Sequence, residues 1–172
     1  NIYKLTEYEP NKYWGLAVTN VTDHFEIVIE GENPPYWQDY PDYQLSGGVS
    51  INITQEAINA VPADAWITGI GSISGESFPG RRLSLENLAI NFPDNQRSKV
   101  IGISFYYFSG AKLENVFVKV NKPLAELALP AVDTYGIEGL VGSKIGPFIA
   151  INTNVQGWWK GWHINGEHFI GI

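Results

Sequence analysis

Short runs of β-branched and aromatic residues recur along this chain about every ten positions, and the gaps between them hold Gly, Pro, Asn or Asp. That spacing leaves too little chain for long helices, so the sequence points to an all-β domain built as a prism, barrel or sandwich. The first runs are Tyr13 to Val18 and His24 to Ile29, joined by the turn Asn20-Val21-Thr22-Asp23. Val49-Ser50-Ile51-Asn52-Ile53 alternates apolar and polar residues, the period of a half-buried strand. Trp66 to Gly75 has apolar residues at every second or third place with glycines between, which predicts a bent or bulged strand near a sheet corner. Pro79-Gly80-Arg81-Arg82 reads as a turn, and Leu83 to Phe92 alternates with a phase slip at Glu86-Asn87 that reads as a bulge. The densest run, Val100 to Phe108, is predicted to turn at Ser109-Gly110 into a hairpin partner, Leu113 to Val120.

Helical signals are few. Thr54 caps a short helix from Gln55 to Val61 that Pro62 ends, and Pro123 opens at most one turn before Pro130. The segment 31–43 holds three prolines and four aromatics. It reads either as an aromatic contact surface or as a loop pinned over the core by its own rings. At 172 residues the chain is expected to be a single all-β domain, 1–172, with 1–45 as an extension or extra strands.

Charge and cysteine content narrow the function. A net charge of −7 without any Lys/Arg cluster argues against a phosphate backbone as partner, so no nucleic acid is expected. The absence of cysteine removes disulfides, zinc-thiolate sites and thiol catalysis together. The chain begins at Asn1 without a Met or a basic-plus-apolar leader, as expected of a mature form or a fragment of a larger protein. Asn20-Val21-Thr22 and Asn52-Ile53-Thr54 are glycosylation sequons, usable if the source is a secreting eukaryote.

The composition of 157–172 is unlike the rest: three tryptophans, four glycines and two histidines in sixteen positions. Gly allows tight turns and close approach while Trp offers broad flat faces, a mixture suited to a ligand loop. A pyranose presents an apolar C–H face and an edge of hydroxyls, so a sugar site needs an aromatic plate beside directional donors and acceptors. Trp158, Trp159 or Trp162 supplies the plate in this reading. Neighbouring residues of a strand point to opposite faces, so Trp158 and Trp159 cannot both face the core. The competing reading buries Trp158 and lays Trp159 and Trp162 over the open end of the core.

From Thr134 onward the pattern Thr134-Tyr135-Gly136, Gly139, Gly142, Pro147-Phe148, Val155-Gln156-Gly157-Trp158 and Ile170-Gly171-Ile172 resembles the closing part of jacalin-related lectins. The resemblance covers about forty residues and the first ninety poorly. It implies a β-prism I fold of three Greek-key sheets and non-catalytic sugar binding through a glycine-x-x-x-aspartate loop. Gly161-Trp162-His163-Ile164-Asn165 is similar to that loop, with Asn165 in the carboxylate's place; Glu167 is the alternative source of a carboxylate. The ligand contacts expected on this basis are Gly161, Trp162, His163, Asn165 and Glu167, with Tyr135 and Trp159 beside them. Glycans or glycoproteins are the expected partners, in an extracellular setting. Weak single sites would gain strength from an oligomer or a multivalent protein. The rival is a structural, storage or toxin-targeting module whose aromatic surface meets protein or membrane.

No metal or other cofactor is expected. His163, Glu167 and His168 are good zinc donors, but their spacing is wrong for the helical zinc motifs and Gly166 disfavours a helix there. Asp39 with Asp42, or Glu167 with Asp133, would suit glycoside hydrolysis only at a distance that sequence does not give. Gly71-Ser72-Ile73-Ser74-Gly75 lacks the helix that a nucleophile elbow needs. The expectation is therefore a binding protein and no enzyme.

Overall fold

A computed structural model describes residues 1–19, 25–37, 45–46, 48–73, 78–94, 97–105, 108–120, 131–139, 147–164 and 169–171. The chain winds in successive coils. The first holds β1 (Thr6–Glu9), β2 (Lys12–Val18), β3 (Glu26–Glu30), the short pair β4 (Tyr36–Trp37) and β5 (Leu45–Ser46), β6 (Val49–Asn52) and helix α1 (Gln55–Asn59). The second holds β7 (Trp66–Ser72) and β8 (Phe78–Phe92), the third β9 (Val100–Ser104) and β10 (Phe108–Val120). The fourth holds β11 (Thr134–Gly139), β12 (Phe148–Ile151) and β13 (Asn154–Gln156), the fifth β14 (Lys160–Ile164) and β15 (Phe169–Gly171).

Each coil lies on the one before it with its strands in parallel. In the first sheet the order is β1-β2-β7-β9-β11-β14, parallel from β2 onward. A second face stacks β3, the first half of β8, the first half of β10, β12 and β15. A third stacks β6, the second halves of β8 and β10, and β13. Parallel neighbours require a long return path, and here that path is the other two faces of the coil. The architecture is a parallel β-helix, in which each coil buries its apolar residues against its neighbours. Leu83, Leu85, Leu88, Ile90, Phe92, Leu113, Val118 and Phe148 fill the interior, each 2% exposed or less.

Two columns of asparagine hold the corners and the third face. Asn87, Asn115 and Asn152 all have positive φ, at 56°, 52° and 45°, a conformation that Asn tolerates better than most residues. Asn115 Nδ2 donates to Asn87 Oδ1 at 2.9 Å, and Asn152 Nδ2 donates to Asn115 Oδ1 at 2.8 Å. The phase slip at Glu86-Asn87 is thus a corner that separates two faces. On the third face Asn91 Nδ2 donates to Asn52 Oδ1 at 2.7 Å, and Asn52 Nδ2 donates to Asn1 Oδ1 at 2.9 Å. The sequon at Asn52 therefore has its amide tied into a ladder, and Thr54 Oγ1 accepts from Ala57 N as the cap of α1.

A column of glycines bends the first sheet. The register runs through Trp14↔Thr68, omits Gly15 and Gly69, and resumes at Leu16↔Ile70. The same omission recurs at Gly102, Gly136 and Gly161. Ile67 and Ile70, three apart, both lie in the core at 0% exposure, which a regular strand forbids. The chain turns over at Gly69. A Cβ on Gly69 would sit 2.5 Å from Gly102 O, and one on Gly102 would sit 2.5 Å from Gly136 O, so only glycine fits.

Three expectations are corrected. The Greek-key prism and the sandwich both need antiparallel neighbours; among the described strands only β1/β2 and β4/β5 are antiparallel. The hairpin of Val100–Phe108 with Leu113–Val120 does not form, because β9 and β10 belong to different sheets and Gly110 lies inside β10. Tight hairpin turns need positive φ, and the described residues with positive φ do not include Gly110. Pro79 to Arg82, expected as a turn, lies within β8. Residues 121–130, including the helical turn after Pro123, lie outside the described residues, as do residues 38–43 of the 31–43 loop.

Candidate functional site

The glycine bend makes the outer face of the first sheet concave. Outward side chains stand on both sides of the bend: Trp14, Thr68, Ile101 and Tyr135 in one column, Ser104, Glu138 and His163 in the other. Between them lies a cleft of about 230 Å³ lined by Lys12, Trp14, Trp66, Thr68, Ser72, Ile101, Ser104 and Glu138. The lining is mostly apolar with a few polar atoms, the usual make-up of a small-molecule site.

Aromatic rings continue the cleft toward the last coil. Trp66 stacks on Tyr135 with centroids 6.4 Å apart and planes 19° apart, and Tyr135 stacks on His163 at 4.8 Å and 15°. Trp159 meets Tyr135 edge-on at 6.1 Å, and the Lys160 ammonium lies 4.6 Å from the centre of the Trp159 ring. Thr134 fixes the backbone here, since its Oγ1 donates to Ala131 O at 2.8 Å and accepts from Trp159 N at 3.0 Å. The Tyr135 hydroxyl donates to Asp133 Oδ1 at 3.3 Å.

Among the described residues, three buried polar atoms on this face have no hydrogen-bond partner: Trp14 Nε1, Glu138 Oε2 and His163 Nδ1. Such atoms cost about 1–3 kcal/mol each when left unmade. Glu138 is 5% exposed, and burial pushes its carboxyl up to about 7. Its Oε1 stands 3.5 Å from His163 Nδ1, an approach without hydrogen-bond geometry. Burial, then the charge of Lys160, pushes the His163 imidazole below its ordinary range. Both shifts favour the uncharged forms, so the two groups meet as a carboxyl and a neutral imidazole just below neutral pH rather than as an ion pair.

The residues expected from sequence fall in different places. Tyr135, Trp159 and His163 come together in the aromatic cluster. Gly161 belongs to the glycine column, and Trp162 pairs in register with core residue Ile137 and meets Phe148 edge-on at 6.2 Å. Trp162 thus covers the end of the interior, at 39% exposure. Trp158 is buried under Gly102 and Gly136, with Nε1 donating to Val118 O at 3.2 Å, while Trp159 is 44% exposed. Asn165, Glu167 and His168 lie outside the described residues, as do Asp39 and Asp42. Gly161 to Ile164 is strand rather than loop.

Sequence reasoning missed Lys12, Trp14, Trp66, Thr68, Ile101, Ser104 and Glu138. A signal for three of them, Trp14, Thr68 and Ile101, exists in the recurring triplets Trp14-Gly15-Leu16, Thr68-Gly69-Ile70, Ile101-Gly102-Ile103, Tyr135-Gly136-Ile137 and Lys160-Gly161-Trp162. Among the described residues no group of three His, Cys, Asp or Glu is placed to hold a metal ion, and no helix is long and apolar enough to cross a membrane. No protein-family model, curated protein or solved structure matches the chain.

Proposed function

We propose that this chain is a non-catalytic saccharide-binding protein whose ligand lies along the concave outer face of the first sheet. The observation that carries the reading is the pair of unpartnered buried atoms, Trp14 Nε1 and Glu138 Oε2, on two residues lining one mostly apolar cleft beside Trp66. An indole N–H can only donate, and a carboxyl oxygen accepts, so a hydroxyl-rich ligand satisfies both while its C–H face packs on the rings. Trp14 on β2 and Glu138 on β11 are three strand spacings apart, about 14 Å, a span that fits an extended oligosaccharide better than a single sugar. Glycoside hydrolysis by the usual route needs two carboxyl groups across the bond. Among the described residues Glu138 is the only carboxyl lining the cleft, which favours binding over cleavage.

The test is a titration of the protein with cellotetraose, xylotetraose and chitotetraose, read by tryptophan fluorescence and repeated with Trp66→Ala and Trp162→Phe. The reading expects saturable quenching that weakens at least about tenfold in Trp66→Ala and survives in Trp162→Phe. Absence of binding to all three, or loss of binding in Trp162→Phe alone, would move the function away from this cleft.

A further inference from the structure

We infer that occupancy of the cleft is coupled to proton uptake at Glu138, so that the saccharide binds the form of the protein in which this carboxyl is neutral. The inference rests on the saccharide reading above and adds a regulation to the same site. Glu138 lines the cleft at 5% exposure, and its Oε2 has no partner. A ligand lying over the cleft removes the water that remains near the carboxyl. Ligand hydroxyls donate to the carboxyl in either form, but an ionised carboxylate loses more solvation than they return, whereas the neutral acid also offers an O–H to a ligand oxygen.

The charges around Glu138 do not offset that loss. From β14 the His163 imidazole stands 3.5 Å away and is held neutral by burial and by Lys160 beyond it. From β9 the residue in register is Ser104. On β11 itself the neighbour is the Tyr135 phenol, with Asp133 just before the strand, and neither brings a positive charge. Across the cleft on β2, Lys12 has its ammonium 2.8 Å from Glu9 Oε2. Burial already brings the carboxyl to about 7, so the coupling falls within the pH range where the protein is easily studied.

The three tetraoses are titrated calorimetrically from about pH 5.5 to about pH 8.5 in two buffers of different ionisation heat, with wild type, Glu138→Gln and His163→Asn. The expected result is a dissociation constant flat at the acid end and rising toward tenfold per pH unit above about 7, with net proton uptake on binding. Glu138→Gln loses the pH slope, whatever its affinity, and His163→Asn keeps one. Affinity that is flat or improves as pH rises, or proton release on binding, overturns the coupling and leaves the saccharide reading standing. A slope that persists in Glu138→Gln and vanishes in His163→Asn assigns the proton to the histidine and also overturns it. Failure of every tetraose at every pH removes the saccharide reading and the coupling with it. The buffer comparison needs only wild type, so the test holds even if Glu138→Gln does not fold.

Discussion

The rings of Tyr135 and His163 lie face to face, 4.8 Å between centroids and 15° between planes, on adjacent strands of the first sheet. The stack holds the imidazole against the Glu138 carboxyl and keeps water from it. Removing the ring in His163→Ala should bring the Glu138 carboxyl down toward the ordinary range of a glutamic acid, as read by carbon-13 NMR titration of the side chain. The lost stacking should also cost about 1 kcal/mol in chemical denaturation. A carboxyl that still titrates near 7 in this variant would mean that the strands alone provide the burial.

Stability should depend on pH through the same carboxyl. Its folded value of about 7 lies above the ordinary value of 4.5, so the folded protein binds the proton more tightly than the unfolded chain does. Stability from this group is fully present below about pH 4.5 and is lost as pH rises toward and through 7, up to about 3 kcal/mol in all. Glu138→Gln carries no such charge. The expected outcome is that urea midpoints of wild type and variant, compared at about pH 5 and about pH 8, diverge in favour of the variant at the higher pH. Equal differences at the two pH values would contradict the assignment.

The glycine column predicts a graded mutational series. A Cβ on Gly136 would run into Val155 Cγ1 and sit 2.9 Å from Gly161 O, and one on Gly102 would sit 2.5 Å from both Gly136 O and Val118 Cγ1. Gly102→Ala and Gly136→Ala should each destabilise by about 1–3 kcal/mol or more. At Gly161 the nearest atom is Val155 Cγ1 at 3.5 Å, ordinary contact, so Gly161→Ala should change the midpoint little. Equal effects at Gly136 and Gly161 would mean that the column is not packed as described.

The asparagine corner separates backbone from side-chain effects. Asn115 donates to Asn87, accepts from Asn152 and has φ of 52°. Asn115→Ala loses both hydrogen bonds and strains the backbone, for about 2–4 kcal/mol. Asn115→Gly loses the bonds but accepts the positive φ, so it should be the milder change. Thermal or chemical denaturation that ranks glycine below alanine would remove the corner from the account.

Much of the local structure was legible in the sequence, and the partners of the strands were not. Tyr13–Val18 lies in a strand as its apolar and aromatic run predicts, Val49–Asn52 forms one where alternation places it, and Thr54 caps α1 as its side chain predicts. Alternation records which side chains are buried, but a strand with an antiparallel neighbour and one with a parallel neighbour carry the same pattern. The β-branched run from Val100 and the run through Val120 therefore suggested a hairpin, although each pairs with strands a whole coil away. The repeat that would have revealed the coils is masked by uneven spacing between Gly15, Gly69, Gly102, Gly136 and Gly161. Of the site, Tyr135, Trp159 and His163 were visible as aromatic and imidazole side chains near glycine. Glu138 was hidden, because an acid in Thr134-Tyr135-Gly136-Ile137-Glu138-Gly139 gives no sign in sequence that the cleft wall will bury it.

The indole N–H of Trp14 reports most directly on the central claim, since it is a buried donor without a partner at the cleft. Its nitrogen-15 cross-peak, assigned by comparison with Trp14→Phe, is followed during titration with cellotetraose, xylotetraose and chitotetraose. Saccharide binding along the concave face predicts that this peak moves saturably as the donor gains an acceptor, with the Trp66 peak following. A Trp14 peak that stays in place with all three ligands, or stays while the Trp162 peak moves, would contradict it.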